Sequence, residues 1–496
     1  MTDWNTSGAF ALAAALLGGS AAMADISAEE VWQGWTSYYA DMGQSLSAGT
    51  KTMQGDTLVI SDAMMTATVP DGTLSLKVAE IRLREMGDGR VEVTMSEEIP
   101  LRMLGHPSTG ENVDMGIKMT QSGLTMVVSG SADDTTYDLS AAGLGLSIDG
   151  MKVDDETVPM TINASMGGVG GTYRMASNDL RQFTSDFHAD RLDFTVSAQD
   201  PQGAGSFSST GGITGLTGTS VATMPSGLDL SNMNAALQAG MEVSGSFAYG
   251  GGGYSMDFAD GQDTVALKAD GDGGSVNFAM SKAGLSYGVE GGANQVAVQV
   301  SSFPVPIDIS LAGSAFNLAV PVSKSETDQP FSLLVKLIDL KVSDGLWNII
   351  DPGMQLPRDP ATLIVDVKGA AKLLLDIMDP ANAQALNRQP PGELTSLDVN
   401  EVELSVAGAE LTGKGAVAFN NQGAMPRPVG SVDMQLIGGN GLIDKLVGMG
   451  LVPEDQAMGA RMMMGLFAVK TGDDTLTSKI EFKEDGGVYA NGQRIQ

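Results

Sequence analysis

Four short stretches carry residue types that could do chemistry. Gly284-Leu285-Ser286-Tyr287-Gly288 has the G-x-S-x-G spacing of a serine nucleophile, which works only on a sharp strand-to-helix turn beside a histidine base. Here the chain runs on into Val289 and a glycine-rich turn, and it holds two histidines in all, so the stretch reads as a strand with glycines. His188 lies in Asp186-Phe187-His188-Ala189-Asp190, and carboxylates beside an imidazole can hold a metal. On the helix expected over Asn178 to Ala189, however, neighbours two apart do not share a face. His106, before Pro107, reads as loop. Gly413-Lys414-Gly415-Ala416-Val417-Ala418 mimics a dinucleotide-binding turn, but Val417–Phe419 alternates as strand where a helix is required. Asp270-Gly271-Asp272-Gly273 offers oxygens to calcium without the twelve-residue spacing to a closing glutamate, and reads as a turn. With no cysteine, thiol catalysis, disulfides and cysteine-zinc sites are excluded. The expectation is a protein with no catalytic residues, no metal and no cofactor, and not an enzyme.

Apolar surface is the better source of candidates. The chain has 30 methionines. Two helices are expected at Gly441–Gly450 and Glu454–Phe467, separated by Pro453, as a helical hairpin. Leu446 and Met449 on the first, with Met458, Met462 and Phe467 on the second, could form a greasy lining for an acyl chain, because methionine is flexible and polarisable. The same residues could equally form the packed core of the hairpin. Near the amino terminus, Ser27-Ala28-Glu29-Glu30 reads as a capping box. Val31, Trp35, Tyr38 and Met42 then share a helical face, flanked by Trp32 and Tyr39. This helix either packs on a sheet or docks a partner through Trp32, Trp35 and Tyr38.

The rest of the chain supplies strands to position these groups. Leu58 and Ile60, then Met64 and Val69, precede Asp71-Gly72; Leu74, Leu76 and Val78 alternate, as do Ile81 and Leu83 before Asp88-Gly89. Alternation punctuated by Asp-Gly is a hairpin signature, since those residues accept positive φ. The pattern recurs through Leu144–Ile148 with Asp149-Gly150 as a turn, through Leu192–Val196, and onward to Val296–Val300. Short helices are expected at Asp229–Ala239, Asp344–Ile350 and Asp376–Asn387. The fold class read from this is mainly β: one or more long antiparallel curled sheets with a few covering helices, a β-rich α+β protein. The division expected is a leader at 1–24, an N-terminal β-meander domain at 25–325 and a C-terminal β-rich domain with the helical hairpin at 326–496.

Charge and composition narrow the partners. The net charge of −32 repels phosphate backbones, so nucleic acid is excluded. Phe10–Leu17 is a short apolar block followed by Ala22-Met23-Ala24, which predicts a secretory leader cut before Asp25, although no Lys or Arg precedes it. No later stretch reaches 18 uncharged apolar residues, so no transmembrane segment is expected in the mature chain. Aromatics make up only 5%, too few for the girdles of an outer-membrane barrel, and Gln496 is not the aromatic end such barrels carry.

Three segments also carry a resemblance. Leu356-Pro357-Arg358-Asp359-Pro360-Ala361-Thr362-Leu363, the stretch from Pro453 to Phe467, and Tyr489-Ala490-Asn491-Gly492-Gln493-Arg494 resemble an uncharacterised bacterial family, domain of unknown function 2125. The resemblance implies a Gram-negative envelope protein and brings no activity or catalytic residues with it. The closing strand, turn and Asn-Gly strand are similar to the ends of AsmA-like envelope proteins, which are linked with lipid handling. Together these readings give a periplasmic protein that holds a lipid or other hydrophobic ligand in a concave sheet groove. The alternative is a structural or assembly module that binds other envelope proteins.

Overall fold

A computed structural model describes residues 25–496, apart from 42, 70, 106–109, 155, 178–179, 202, 226–231 and 424–425. The leader segment 1–24, His106, Met42 and the start of the helix expected at Asp229 therefore lie outside the described residues. Strands take up 64% of the structure and helices 13%, which makes the fold mainly β, as the alternation predicts. Every strand pairing whose register is described is antiparallel. The chain forms two compact units. The first comprises Met1–Ser226, Gly245–Gly273 and Gln299–Ser302; the second comprises Gly227–Ser244, Gly274–Val298 and Phe303–Gln496.

In the first unit, helix α1 (Ala28–Asp41) begins at the predicted capping box. The Glu30 carboxylate accepts from the Ser27 amide at 2.8 Å and from its hydroxyl at 2.7 Å. The Ser27 hydroxyl in turn accepts from the Glu30 amide at 3.3 Å. Such reciprocal bonds satisfy amides that the first helical turn would leave unpaired. The helix is also tethered to the sheet: the Ala28 amide donates to Glu85 at 3.1 Å, and Lys51 reaches Glu29 at 2.6 Å.

Against it stands a ladder of strands that runs from Thr57–Val69 through Gly72–Glu85 to Leu180–Gln199 and Ser206–Pro225. Two rungs are split. Gly72–Glu85 pairs with both Val91–Met95 and Glu98–Gly105, and Asp134–Val153 pairs with both Val113–Ser122 and Thr125–Ser131. The intact strands are creased in line with the splits. Residues facing inward along a strand recur every second position, but here the inward apolar set steps by three: Ile60 to Ala63, Val78 to Ile81, Ala141 to Leu144, Met166 to Val169, Ala189 to Leu192 and Ile213 to Leu216. The skipped residues are Asp62, Gly168 and Gly215, at φ of +51°, +60° and +60°, and those paired with them in the ladder. The left-handed φ adds one residue to the pleat in both partners at once, so register is kept while the strands bend. Asp and Gly are the residues that tolerate this conformation. The step also explains one difference from expectation: Met65, not Met64, enters the core, and Met64 is exposed.

Curl follows from the same ladder. Six strand spacings separate Thr57–Val69 from Leu180–Gln199, roughly 29 Å if the sheet were flat. Met65 of the first and Phe187 of the last nevertheless line one space beneath α1, so the sheet wraps around the helix.

Two elements differ from the alternation as read. Leu180–Gln199 is one strand, where a helix was expected over Asn178–Ala189. Phe183 and Phe187 are four apart, a spacing that fits a helical face and a strand face alike; sixteen register partners on Glu156–Ser177 decide for the strand. His188, Asp186 and Asp190 consequently share a face after all, and His188 lies opposite Gly170. Asp149-Gly150 does not turn the chain: Asp134–Val153 runs through it, and a bulge between Val158 and Thr161 on the neighbouring strand accommodates it.

In the second unit the expected helices form, some shorter than read. They are α2 (Met233–Gln238), α3 (Asp344–Ile350), α4 (Ala383–Leu386), α5 (Gly439–Gly448) and α6 (Glu454–Phe467). Pro380 opens the turn before α4, with the Asp379 carboxylate capping the Ala381 amide at 2.9 Å. The start of α5 is capped from a distance, since the Asp474 carboxylate accepts from the Asn440 and Gly441 amides at 3.1 and 2.8 Å.

The strands of this unit form a two-faced sheet. Leu337, Leu363, Leu404, Leu411, Leu436 and Leu476 are successive register partners across six strands. The next row on that face runs Val289, Phe316, Val335, Val365, Val402, Gly413 and Met434. The opposite face carries rows such as Ser332, Lys368, Asp398, Ala416, Ser431 and Glu481. The apolar face is not sealed: Leu404 is 43% exposed, and Phe278, Tyr287 and Phe316 are about as open. Gly284–Gly291 and the Gly413–Gly415 stretch are strands in this sheet, which removes the turns that nucleophile or dinucleotide chemistry would need.

Candidate functional site: an apolar pocket under helix α1

A pocket of about 380 Å³ lies between α1 and the inner face of the curled sheet in the first unit. Its walls come from nearly every strand of the ladder: Met65, Ile99, Met119, Leu144, Met166 and Val169 are representative. These are the inward positions set by the crease, so the local stepping of the pleat decides which side chains reach the space. Below the pocket, Ile60, Leu83, Val91, Val93, Met126 and Val128 form a closed core with almost no exposed surface.

Polar groups in the walls are the non-aromatic Glu30, Gln33, Ser37, Thr120, Gln121 and Thr135 together with a set of aromatic ones. Trp35, Tyr38 and Tyr39 approach from α1, and Tyr137 and Tyr173 from the sheet. Tyr137 and Tyr173 lie with ring centroids 6.1 Å apart, and Phe183 continues the cluster 6.2 Å from Tyr173. Burial pushes all four phenols up, Tyr39 to about 12, because a phenolate would be left without water. They are neutral hydrogen-bonding groups at any physiological pH. The Trp35 indole N–H is buried within weak hydrogen-bonding reach of the Tyr137 phenol, whose pKa it acts to lower, and among the described residues it meets no acceptor at good geometry. Among the described residues Glu30 is the one charged residue of the lining, and its carboxylate is engaged by Ser27. The arrangement can enclose an apolar body and offer it hydrogen bonds; it holds no paired acid and base and no nucleophile beside a base.

The aromatic residues singled out in the sequence divide on this site. Trp32 is buried in the core, 6.4 Å from Trp35 between ring centroids, while Trp35 and Tyr38 line the pocket. The hairpin residues lie in the other unit. Leu446, Met449 and Phe467 are half-buried, and the Phe467 carbonyl is held by Ser478 at 2.7 Å and Asn491 at 3.0 Å. Met458 and Met462 are over 70% exposed and point away from the packed side of α6. Ala457 takes the buried side instead, because a small residue lets the helix approach its neighbours. None of the five hairpin residues lines the pocket. Tyr137 and Tyr173 belong to it and carry no signal in sequence, for they stand about 100 residues from α1. Asp186, His188 and Asp190 share a face, but among the described residues no group of three such side chains is placed to hold a metal.

Fold and site define a mainly β protein with a one-sided apolar sheet that is capped by a helix at one pocket. No helix among the described residues is long and apolar enough to cross a membrane. The chain belongs to the DUF2125 family, described as an uncharacterized protein conserved in bacteria, whose profile matches residues 247–495, just over half of the sequence. The matched region contains the leucine-lined sheet and the helical hairpin, and the pocket under α1 lies ahead of it. No curated protein and no solved structure matches the chain.

Proposed function

We propose that this chain is an exported, non-catalytic protein of the bacterial envelope that carries a lipid or other hydrophobic ligand against the apolar face of its sheet. The observation that carries the reading is the pocket under α1, whose surface is mainly apolar and whose volume is within the size range of small-molecule sites. The open rows of leucine, valine and phenylalanine in the second unit support it, because a soluble monomer rarely leaves such a contiguous apolar area uncovered. The leader-like segment before Asp25 supports export.

Native mass spectrometry of the full chain, purified gently from a bacterial periplasm, tests the proposal. The expected result is a bound lipid that is lost on Met166→Trp, which fills the pocket, with folding preserved by circular dichroism. Wild-type protein that arrives without ligand and takes up none from lipid extract would overturn it.

A second reading rests on a different observation. Met458, Met462, Met463 and Leu466 of α6 are each at least half exposed, an adaptable surface of the kind that meets protein partners. Under this reading the chain is an assembly module. A stoichiometric envelope protein captured by wild type but not by Met462→Glu would favour it.

A further inference from the structure

We propose that the pocket under α1 selects an uncharged lipid that bears a hydrogen-bond acceptor, such as an ester carbonyl, over a lipid that ends in an anion. The inference rests on the carrier reading and names the chemistry of the ligand. Among the described residues no Lys or Arg lines the pocket, so a carboxylate or phosphate would enter without a counter-ion and lose its hydration. The nearest cation in effect is Arg181, whose field reaches Tyr38 but which already has its own interaction. The net charge of −32 adds a long-range penalty for any anion.

The wall nevertheless asks for an acceptor. Trp35 Nε1 can only donate and is buried, and beyond its weak approach to Tyr137 no acceptor among the described residues meets it at good geometry. A buried donor left unpaired is destabilising, because it has given up water without a replacement acceptor. An ester carbonyl arriving between α1 and Tyr137 would satisfy it, with the phenols of Tyr38, Tyr39 and Tyr173 as further donors in the same walls. A plain hydrocarbon would fill the volume and leave the indole unpaired. A neutral acceptor-bearing lipid fits both the apolar walls and the donor set.

Displacement of the apolar dye N-phenyl-1-naphthylamine from the full chain tests this, with 1-monooleoylglycerol and oleate as competitors at pH 8 and below their aggregation limits. The two share one acyl chain and differ in charge at the head. Monooleoylglycerol is expected to bind at least tenfold tighter than oleate. Trp35→Phe should weaken monooleoylglycerol about fivefold while changing dye affinity less than twofold. Equal or tighter binding of oleate overturns the inference and leaves the carrier reading standing. So does an unchanged monooleoylglycerol affinity in a folded Trp35→Phe. The wild-type comparison decides the matter even if that variant does not fold. If wild type binds neither the dye nor either lipid, the carrier reading itself falls and the inference falls with it.

Discussion

Leu83 has no exposed surface and sits at the floor of the first unit, whereas Met458 keeps 71% of its surface in water on α6. Both are apolar, so the contrast isolates what burial contributes. Leu83→Ala should lower stability by about 2–5 kcal/mol, through lost transfer energy and the cavity left behind. Met458→Ala should stay within about 0.5 kcal/mol. Urea unfolding followed by tryptophan fluorescence checks both, and similar midpoints for the two variants would contradict the core assignment. Tyr39 gives a residue-scale test of pH. Burial, with smaller contributions from Tyr38 and Tyr137, holds its phenol at about 12 in the folded chain, against an ordinary value near 10. A raised value means the folded state favours the neutral form. Its stabilising contribution is therefore complete below about pH 10 and is lost as pH rises through about 12. Absorbance at 295 nm against pH should show a tyrosine titrating well above 10 that disappears in Tyr39→Phe. Titration of every tyrosine near 10 would refute it.

Elements in this protein are shaped by their irregularities. The crease across the first unit needs one residue at positive φ on several strands, and Gly168 shows the constraint plainly. Its φ is +60°, and a Cβ there would press on the Asp190 carboxylate. Gly168→Val should cost at least about 1–2 kcal/mol from the left-handed backbone alone. It should also alter the pocket, because the same strand carries the lining residues Met166 and Val169 on either side of the glycine. Thermal melts together with dye binding would register both effects; an unchanged melt and unchanged dye affinity would mean that the crease is not needed. The element scale also shows where periodicity misleads. Strand Leu180–Gln199 offers a helix-like spacing of phenylalanines, and only its pairing with Glu156–Ser177 distinguishes the two forms. The Asp-Gly turns at 71–72 and 88–89 were legible because turn chemistry is local, with Asp71 at φ +60° and Gly89 at +82°. Asp149-Gly150 was not, because a bulge on the neighbouring strand absorbs it.

At the scale of the whole molecule, charge and apolar surface pull in opposite directions. A net charge of −32 keeps copies apart in solution but repels itself within the folded chain. Raising ionic strength from about 10 mM to about 150 mM shortens the screening length from roughly 30 Å to roughly 8 Å. The melting temperature should rise by about 2 °C or more over that interval, as read by differential scanning calorimetry. A melting temperature that falls would show that attractive ion pairs outweigh the repulsion. The exposed pairs make that outcome unexpected, since bridges such as Arg102–Asp114 and Arg174–Asp134 are largely solvated and contribute little each.

Composition and period alone determined that this protein is a β-rich chain with apolar strand faces, few helices and no reactive cysteine. They also placed the capping box of α1 and the helical hairpin, because capping and amphipathic spacing act between residues a few positions apart. Which apolar residues meet was decided only by tertiary structure. Met458 and Met462 of the hairpin looked like a lining and turned outward, while Trp35 and Tyr38 found Tyr137 and Tyr173 across a sheet that curls. That meeting depends on strand order, on the creases that step the pleat and on the wrap of the ladder around α1. These long-range properties leave no local trace, because the residues brought together are separated by about a hundred positions of chain.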